Sequence, residues 1–236
     1  MKKFICSILA IIISLCVIAG VMLYAIRDNA FDSSYHKSLV EMYSDAPRKL
    51  GMSTSETEGV IDTVALYIKG DIDDMNVQKA DGSFVFNARE LIHMKDVRQL
   101  FSMGNVVFYT SIAVSLTLFL IIFALSGFYG MGTMFRVYVK VIVFLGLAIL
   151  GLGIWYYVDF VSFWTAFHKV LFTNDLWLML PTDALIILYC EEFFTAMVKK
   201  IFIEIGIMLL VSIIVSIIGG KLLPKQRGRK FAKQKR

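Results

Sequence analysis

Long runs of apolar residues dominate the hydrophobic pattern of the chain. Four of them are each about 20 residues long, the length that an α-helix needs to cross the hydrocarbon core of a bilayer. Two long polar stretches and one short, glycine-rich turn over residues 127–132 separate these runs. Within both long stretches apolar residues recur at helical spacing. The pattern predicts an all-α membrane protein with four transmembrane helices, near 4–26, 105–127, 139–158 and 201–220.

The longer polar stretch, residues 27–104, is expected to fold as a small extracellular cap. It is too short for a large independent core. Helical spacing over residues 33–45 predicts a short helix that Pro47 ends. Ser53 and Glu56 have the spacing of a capping box, in which each residue satisfies a backbone amide of the other, so a second helix is predicted there.

Two further signals organise the end of this cap. Asp81-Gly82 stands between apolar residues and predicts the tight turn of a hairpin. Asn87 and Glu90 again have cap spacing, and they predict a helix that continues to about Gly104. This helix leads directly into the second transmembrane segment.

His93 lies on that last helix of the cap, about three turns before the membrane segment. Val97 and two further apolar residues share its face. Asp96 follows three residues later and can reach the His93 ring, and Arg89 lies one turn before it. The helix therefore brings an imidazole, an acid and a cation together near the membrane surface.

The shorter polar stretch, residues 159–200, is expected to be a second extracellular segment. It contains Trp164, Phe167, His168 and Trp177, and the first three share one face of a helix predicted to lie along the outer membrane surface. Ionisable groups at a membrane boundary are costly, so a histidine in this setting is a candidate functional residue.

The charge distribution predicts the topology. The net charge is +5, but residues 27–104 carry 9 basic and 13 acidic residues, and residues 159–200 carry 3 basic and 5 acidic. Basic residues remain on the cytoplasmic side of membranes, so both termini are predicted to be inside. The basic residues on that side are Lys2, Lys3, Arg136, Lys140, Lys221, Lys225, Arg227, Arg229, Lys230, Lys233, Lys235 and Arg236.

This topology assigns a role to every segment. The apolar run of the first segment is longer than the roughly 7–15 residues of a signal peptide, so an uncleaved anchor is predicted. A basic tail beside a membrane favours a lipid surface over nucleic acid as its partner. The expected segments are 1–26 as the first transmembrane helix, 105–158 as the second and third with a short cytoplasmic turn, 201–223 as the fourth, and 224–236 as a basic cytoplasmic tail.

Common catalytic and structural motifs are missing from the sequence. Cys6 and Cys16 fall in the first apolar run and Cys190 lies outside, so no disulfide framework is expected. The histidines do not have metal-ligand spacing, and no GxSxG elbow is present. Acidic neighbours are expected to raise the pKa of Cys190, which argues against a thiolate nucleophile. No metal or other cofactor is predicted.

The residues alone leave three alternatives open. His93 and His168 can form an outward-facing acid–base site, or they can be a surface residue paired with Asp96 and an interfacial residue of an extracellular ligand-sensing or binding protein without catalysis. A transporter is the third alternative, but the predicted spans carry almost no polar residue except Glu204.

Two stretches resemble a known family. RELIHMKDV (89–97) and FHKVLFTNDLWLMLPTDALI (167–186), followed by EEFF (191–194), are similar to signatures of the lipoprotein intramolecular transacylase family, Lit, of bacterial integral membrane proteins. The predicted topology matches that family along the whole chain. The sequence departs from the family pattern at Leu180, where an acidic or amide residue is usual, and at Cys190, where proline is usual.

The resemblance implies one reaction at the bacterial cell membrane, in a multi-pass protein that acts as a monomer with its site facing outward. The sn-2 acyl chain of a diacylglyceryl lipoprotein moves to the α-amine of the N-terminal cysteine of the same molecule, which gives the lyso-form. The nucleophile and the electrophile both belong to the substrate, so the enzyme has to move protons, and histidine suits that task near neutral pH.

The resemblance also implies the site residues. His93 is expected to be the principal base and His168 its acidic, orienting or oxyanion-stabilising partner. Asp96 is expected to orient His93, and Arg89 to stabilise the oxyanion. The remaining residues are expected to shape an aromatic chamber and its polar rim; they are Trp164, Phe167, Asn174, Asp175 and Trp177.

Overall fold

The structure is a computed structural model that describes residues 2–224, and helices form its regular structure. The predicted basic tail, apart from its first residue, lies outside the described residues. No β-strand forms among residues 2–224, where the antiparallel pairing is an isolated bridge between Gln78 and Phe84. The helices are α1 (Lys2–Phe31), α2 (Ser33–Tyr43), α3 (Ala46–Leu50), α4 (Thr54–Lys69), α5 (Ala88–Val158), α6 (Phe160–Leu171), α7 (Ala184–Leu188) and α8 (Glu191–Leu222).

Three of the described helices, α1, α5 and α8, are long and apolar enough to cross a membrane. Helix α5 is interrupted at Gly127, where φ is 51° and ψ is −140°. Only glycine adopts such a conformation readily, because any Cβ would clash with the backbone. The sequence predicted a turn over residues 127–132, but the helix resumes at residue 128, so the change of direction needs only one residue.

The long helices extend past the predicted segment ends. Helix α1 continues to Phe31, and α8 begins at Glu191, ten residues before the predicted fourth apolar run. The helix that begins at the end of the cap does not stop at Gly104 but continues into the apolar run. Gly104 is accommodated within the helix, where a Cβ would make ordinary contact with Leu23 at 3.6 Å.

Residues that cap helix ends explain where the helices of residues 27–104 begin and end. The Ser53–Glu56 capping box is present, and α4 ends at Gly70 in the left-handed conformation. The prediction of one helix over 33–45 was wrong in its end: α2 stops at Tyr43, and Pro47 lies in the first turn of a separate helix, α3. Proline fits there because the first helical turn needs no hydrogen bond from its amides.

The turn predicted at Asp81-Gly82 is confirmed. Gly82 has a φ of 83°, and the Val85 amide donates to the Val77 carbonyl at 2.9 Å. The paired segments are too short to continue as strands. They are followed directly by Asn87, the N-cap of α5.

The described chain divides into two compact units. One contains residues 22–108 and 150–206 and encloses an apolar core that includes Val60, Ile61, Leu188 and Phe193, each at most 1% exposed. All of the predicted site residues belong to this unit.

The other unit contains the described residues 2–21, 109–149 and 207–224. Its buried cluster includes Cys6, Ile13 and Ile122. Arg136 donates to the Gly220 carbonyl at 2.8 Å. Chain segments approach closely here, because a Cβ on Gly219 would lie 2.8 Å from the Phe135 ring.

Candidate active site

His93 lies in the second turn of α5, and the start of that helix fixes its place. Asn87 and Glu90 form a complete capping box, so the first turn is held on both sides. The His93 side chain is 9% exposed. Its Nδ1 atom is buried without a hydrogen-bond partner among the described residues.

His168 lies in the last turn of α6. The Asp159 side chain caps that helix by accepting from the Ser162 amide at 3.0 Å. His168 Nδ1 lies 2.8 Å from the Trp164 carbonyl oxygen, which can only accept, so Nδ1 carries the proton. In the neutral ring, Nε2 is then the nitrogen with a free lone pair.

The two histidines form a pair. Their ring centroids are 6.3 Å apart with an interplanar angle of 29°. Phe172 contacts both rings, at 5.0 Å from His93 and 5.7 Å from His168. Direct acid–base cooperation requires rings within about 10 Å of each other in a shared environment, and this arrangement meets that condition.

Aromatic rings surround His168. Trp164, Trp177 and Phe167 lie 4.6, 5.0 and 5.4 Å from it between ring centroids. Phe194 packs on Trp164 at 4.4 Å. The three aromatic residues predicted for the chamber therefore lie together. Phe172 and Phe194 belong to the same cluster, although no local sequence pattern singled them out.

The polar residues predicted for the site connect α5 to the loop that follows α6. Arg89 donates to the carbonyl oxygens of Asp175 at 2.5 Å and Leu176 at 3.4 Å. Asp96 accepts from the side-chain amide of Asn174 at 2.9 Å. Among residues 2–224, no hydrogen bond joins Asp96 to His93. These contacts hold the loop that carries Trp177 against the helix that carries His93.

Glu90 is a residue whose importance sequence reasoning underestimated. Its side chain is 1% exposed, and its two carboxylate oxygens accept from the amides of Asn87 and Leu185, each at 2.7 Å. Burial raises its pKa above the ordinary value, although both amides act in the opposite direction. Cap spacing identified Glu90, but no local pattern pointed to Leu185.

The buried environment lowers the pKa of both histidines. Burial, followed by repulsion from His168, lowers the pKa of His93 to about 4, and Asp96 opposes the shift only in part. Burial also lowers the pKa of His168, against the effect of the Trp164 carbonyl. Both rings are therefore neutral at pH 7.

The structure gives little support for a metal site or for a cysteine nucleophile. Residues 2–224 contain no group of three histidine, cysteine or acidic residues that could hold a metal ion. Burial, and then the Glu192 side chain, raise the pKa of the Cys190 thiol, as its acidic neighbours predicted. That thiol also lies 3.7 Å from the Tyr43 carbonyl oxygen.

Comparison with known proteins assigns the chain to a family. The family model described as lipoprotein intramolecular transacylase Lit matches residues 4–194. The chain belongs to this family. It is therefore a membrane acyltransferase and not a ligand sensor without catalysis, the alternative that the residues alone had left open. No curated protein matches the chain in sequence.

Solved structures agree with the fold of this Lit family member. The membrane integral Lit from Bacillus cereus is 16% identical, with a TM-score of 0.76 over 93% of this chain and 97% of that one. Two variants of the same relative, each with one histidine substituted, match with TM-scores of 0.68 and 0.69 at the same identity and the same coverage of this chain. The matched regions cover 93% and 95% of the chains of these two variants, respectively.

Proposed function

We propose that this chain transfers the sn-2 acyl chain of a diacylglyceryl lipoprotein to the α-amine of the N-terminal cysteine of the same molecule. The observation that carries the proposal is the neutral, buried pair of His93 and His168 inside an aromatic cluster. The Lit family assignment supports an acyltransferase of this type.

The enzyme has to hold the substrate in its reactive conformation, but it does not have to supply a nucleophile. The amine nitrogen bonds to the ester carbonyl carbon, and the bond from that carbon to the glyceryl oxygen breaks. The path between the two reacting groups closes a ring of about eight atoms, and holding the reactive conformer can supply several kcal/mol of the barrier. Trp164, Phe167 and Trp177 are suited to that role because they are large and are packed against one another or against His168.

The low pKa of His93 suits transient proton transfer. Once the amine has attacked, the ammonium of the intermediate is far more acidic than that of the free substrate, and the neutral imidazole of His93 can accept its proton. The resulting imidazolium is a strong acid because the buried site disfavours its charge. It therefore readily gives a proton to the departing glyceryl oxygen, and the atoms balance without a covalent enzyme intermediate.

His168 complements this role through its fixed tautomer. Its Nδ1 proton is engaged by the Trp164 carbonyl, which presents Nε2 as an acceptor. We assign it to orienting the ammonium or the intermediate beside His93. Arg89 and Asp96 become positioning residues in this proposal, because their contacts are to the loop at Asn174–Leu176 and not to a ring.

The proposal includes the topology. Four spans follow from counting α5 as two apolar helices separated at Gly127. The basic residues then lie inside, and the two acidic polar stretches, with both histidines, face the extracellular side. The partners are the lipoprotein and the surrounding lipid, and the catalytic groups all come from one chain, which suits a monomer.

The test is mass spectrometry of a reporter lipopeptide in a bacterial host that makes only diacyl lipoproteins. Expression of the wild-type chain is expected to give an N-acylated product with one fewer ester-linked chain. His93→Ala and His168→Ala are expected to abolish it, while Lys169→Gln, an exposed neighbour of His168, preserves it. An unchanged reporter N-terminus with the wild-type chain would reject the reaction. Full product from both histidine variants would reject the site.

A further inference from the structure

A groove of about 620 Å³ lies beside the first part of α8. Its charged and aromatic lining consists of Tyr35, Tyr43, Glu192, Lys199, Lys200 and Glu204. Phe194, which packs on Trp164 in the candidate active site, points away from this groove, because residues two apart on a helix face in nearly opposite directions. The groove is therefore separate from the histidine pair.

Two of the four charges in the groove already have partners. The Lys200 ammonium lies 3.9 Å from the centroid of the Tyr35 ring and 3.8 Å from Glu204. Glu204 also accepts from the Asn29 side chain at 2.5 Å. Glu192 and Lys199 form no ion pair with any residue that the structure describes. The Glu192 carboxylate has a hydrogen bond with the Cys190 thiol, but its charge is not balanced by a cation. The groove thus offers one anion and one cation without an ion-pair partner among the described residues.

These two unpaired groups are spaced to fit a zwitterion. Glu192 and Lys199 are seven residues apart on one helix, so they share a face at a separation of about 10.5 Å along the axis. Both side chains tilt towards the helix N-terminus, which preserves that spacing. An extended ethanolamine phosphate with a charge-assisted hydrogen bond of about 2.8 Å at each end also reaches about 10 Å.

The order of the two charges matches the orientation of a phospholipid. The apolar run of α8 begins directly after Lys200, so Lys199 lies nearer the bilayer and Glu192 lies farther out. In a phospholipid the phosphate is attached to the glycerol, and the ammonium lies beyond it. Below Lys199, the groove continues to Ile203, which is 52% exposed and offers an apolar surface to an acyl chain.

We propose that this groove binds a membrane phospholipid whose headgroup carries a primary ammonium, with the phosphate at Lys199 and the ammonium at Glu192. Tyr43 also lines the groove and offers an aromatic wall that suits an ammonium group, whereas the Tyr35 ring already contacts Lys200. This lipid does not react. The site is a second lipid-binding site, on a different face of α8 from the histidine pair, and it does not depend on the transacylation proposal.

The experiment is native mass spectrometry of the full-length protein titrated with three phospholipids that have identical acyl chains. Their headgroups are phosphoethanolamine, phosphoglycerol and phosphocholine. The first is expected to bind at least about tenfold more tightly than the second, which has the phosphate but no ammonium. Phosphocholine is expected to be weaker than phosphoethanolamine because its methylated ammonium cannot donate a hydrogen bond to Glu192.

Substitutions locate the two contacts. Glu192→Gln is expected to reduce phosphoethanolamine binding to the phosphoglycerol level without weakening phosphoglycerol binding. Lys199→Gln is expected to weaken both. Glu191→Gln and Lys95→Gln, which change exposed residues outside the groove, are matched controls expected to have no effect. Equal or tighter binding of phosphoglycerol to the wild-type protein would overturn the proposal, as would a loss in Glu191→Gln equal to that in Glu192→Gln.

Discussion

At the scale of single residues, His93 and His168 combine burial with incomplete hydrogen bonding. His168 uses one ring nitrogen on a backbone carbonyl, while His93 leaves its buried Nδ1 without a partner among the described residues. A buried polar atom without a partner is costly. Such costs are concentrated at functional sites, where a substrate supplies the missing partner.

The pH dependence of the transfer rate should show the lowered pKa of His93. The substrate amine, with an ordinary pKa of about 7.7–8.0, must be free to attack, so the logarithm of the rate should fall with a slope of one below that pH. Protonation of an ordinary histidine would steepen the slope to two below about 6.5. Because the pKa of His93 is lowered to about 4, the base form persists and the slope should remain one down to pH 5.

Single-turnover rates of a synthetic diacylglyceryl lipopeptide between pH 5 and 9 would measure this slope. A variant such as Lys95→Gln, which changes an exposed side chain on the side of α5 nearly opposite His93, should give the same profile. A break to a slope of two near pH 6.5 would show that His93 titrates as an exposed histidine and would contradict the assignment.

Residues with nearby partners in the chain were the ones that sequence reasoning placed correctly. The Ser53–Glu56 and Asn87–Glu90 boxes each close over three residues, so spacing alone predicts them. The bond from Glu90 to the Leu185 amide joins residues 95 apart, and no local spacing encodes it. Phe194 was likewise missed as a neighbour of Trp164 because their contact depends on tertiary packing.

At the scale of elements, two glycines of α5 show how context decides structure. A helix was expected to end near Gly104, and a turn was expected to begin at Gly127. Gly104 remains helical, whereas Gly127 takes a φ of 51° that other residues rarely adopt. A break in the helix near residue 127 was predictable from the sequence. That Gly127 alone forms the break was not predictable.

Gly127→Ala should destabilise the protein by about 1–3 kcal/mol, because alanine must adopt the strained backbone conformation. Crowding is not the cause, since no atom lies within 4 Å of a Cβ at this position. Gly146→Ala is the matched control: it lies in the same helix with equally open surroundings, and it should stabilise by about 0.5–1 kcal/mol.

Thermal unfolding of the full-length protein in detergent would compare the two glycine variants. The expected result is a lower midpoint for Gly127→Ala and an equal or higher midpoint for Gly146→Ala. A midpoint unchanged by Gly127→Ala would mean that the backbone at this position does not require glycine.

At the scale of the whole molecule, the apolar runs predicted the membrane class of the protein, and the Lit family assignment agrees with it. The all-helical fold was also predictable from apolar periodicity, since few other patterns compete with it in a membrane protein. The pairing of His93 with His168 came from resemblance to a family. Periodicity places each residue on its own helix but does not bring two helices together.

The proposed topology predicts which positions are reachable from outside intact cells. In a variant without native cysteines, Ser83→Cys in the cap should react with a membrane-impermeant thiol reagent, because the cap is proposed to be extracellular. Lys221→Cys, at the end of α8, should react only after permeabilisation. Gel-shift labelling measures both, and labelling of Lys221→Cys in intact cells would refute the proposed orientation.

The hydrogen bonds at the start of α5 also have a consequence for biosynthesis. The carbonyl that accepts from Arg89 lies 86 residues later in the chain, and the amide that donates to Glu90 lies 95 residues later. At translation rates of about 5–20 residues per second, these partners leave the ribosome roughly 4–20 seconds after their counterparts. A nascent chain can therefore form and cap the start of the helix that carries His93 before residues 168–185 have been synthesised. The proposed transfer can begin only after both halves of the site are present in the chain.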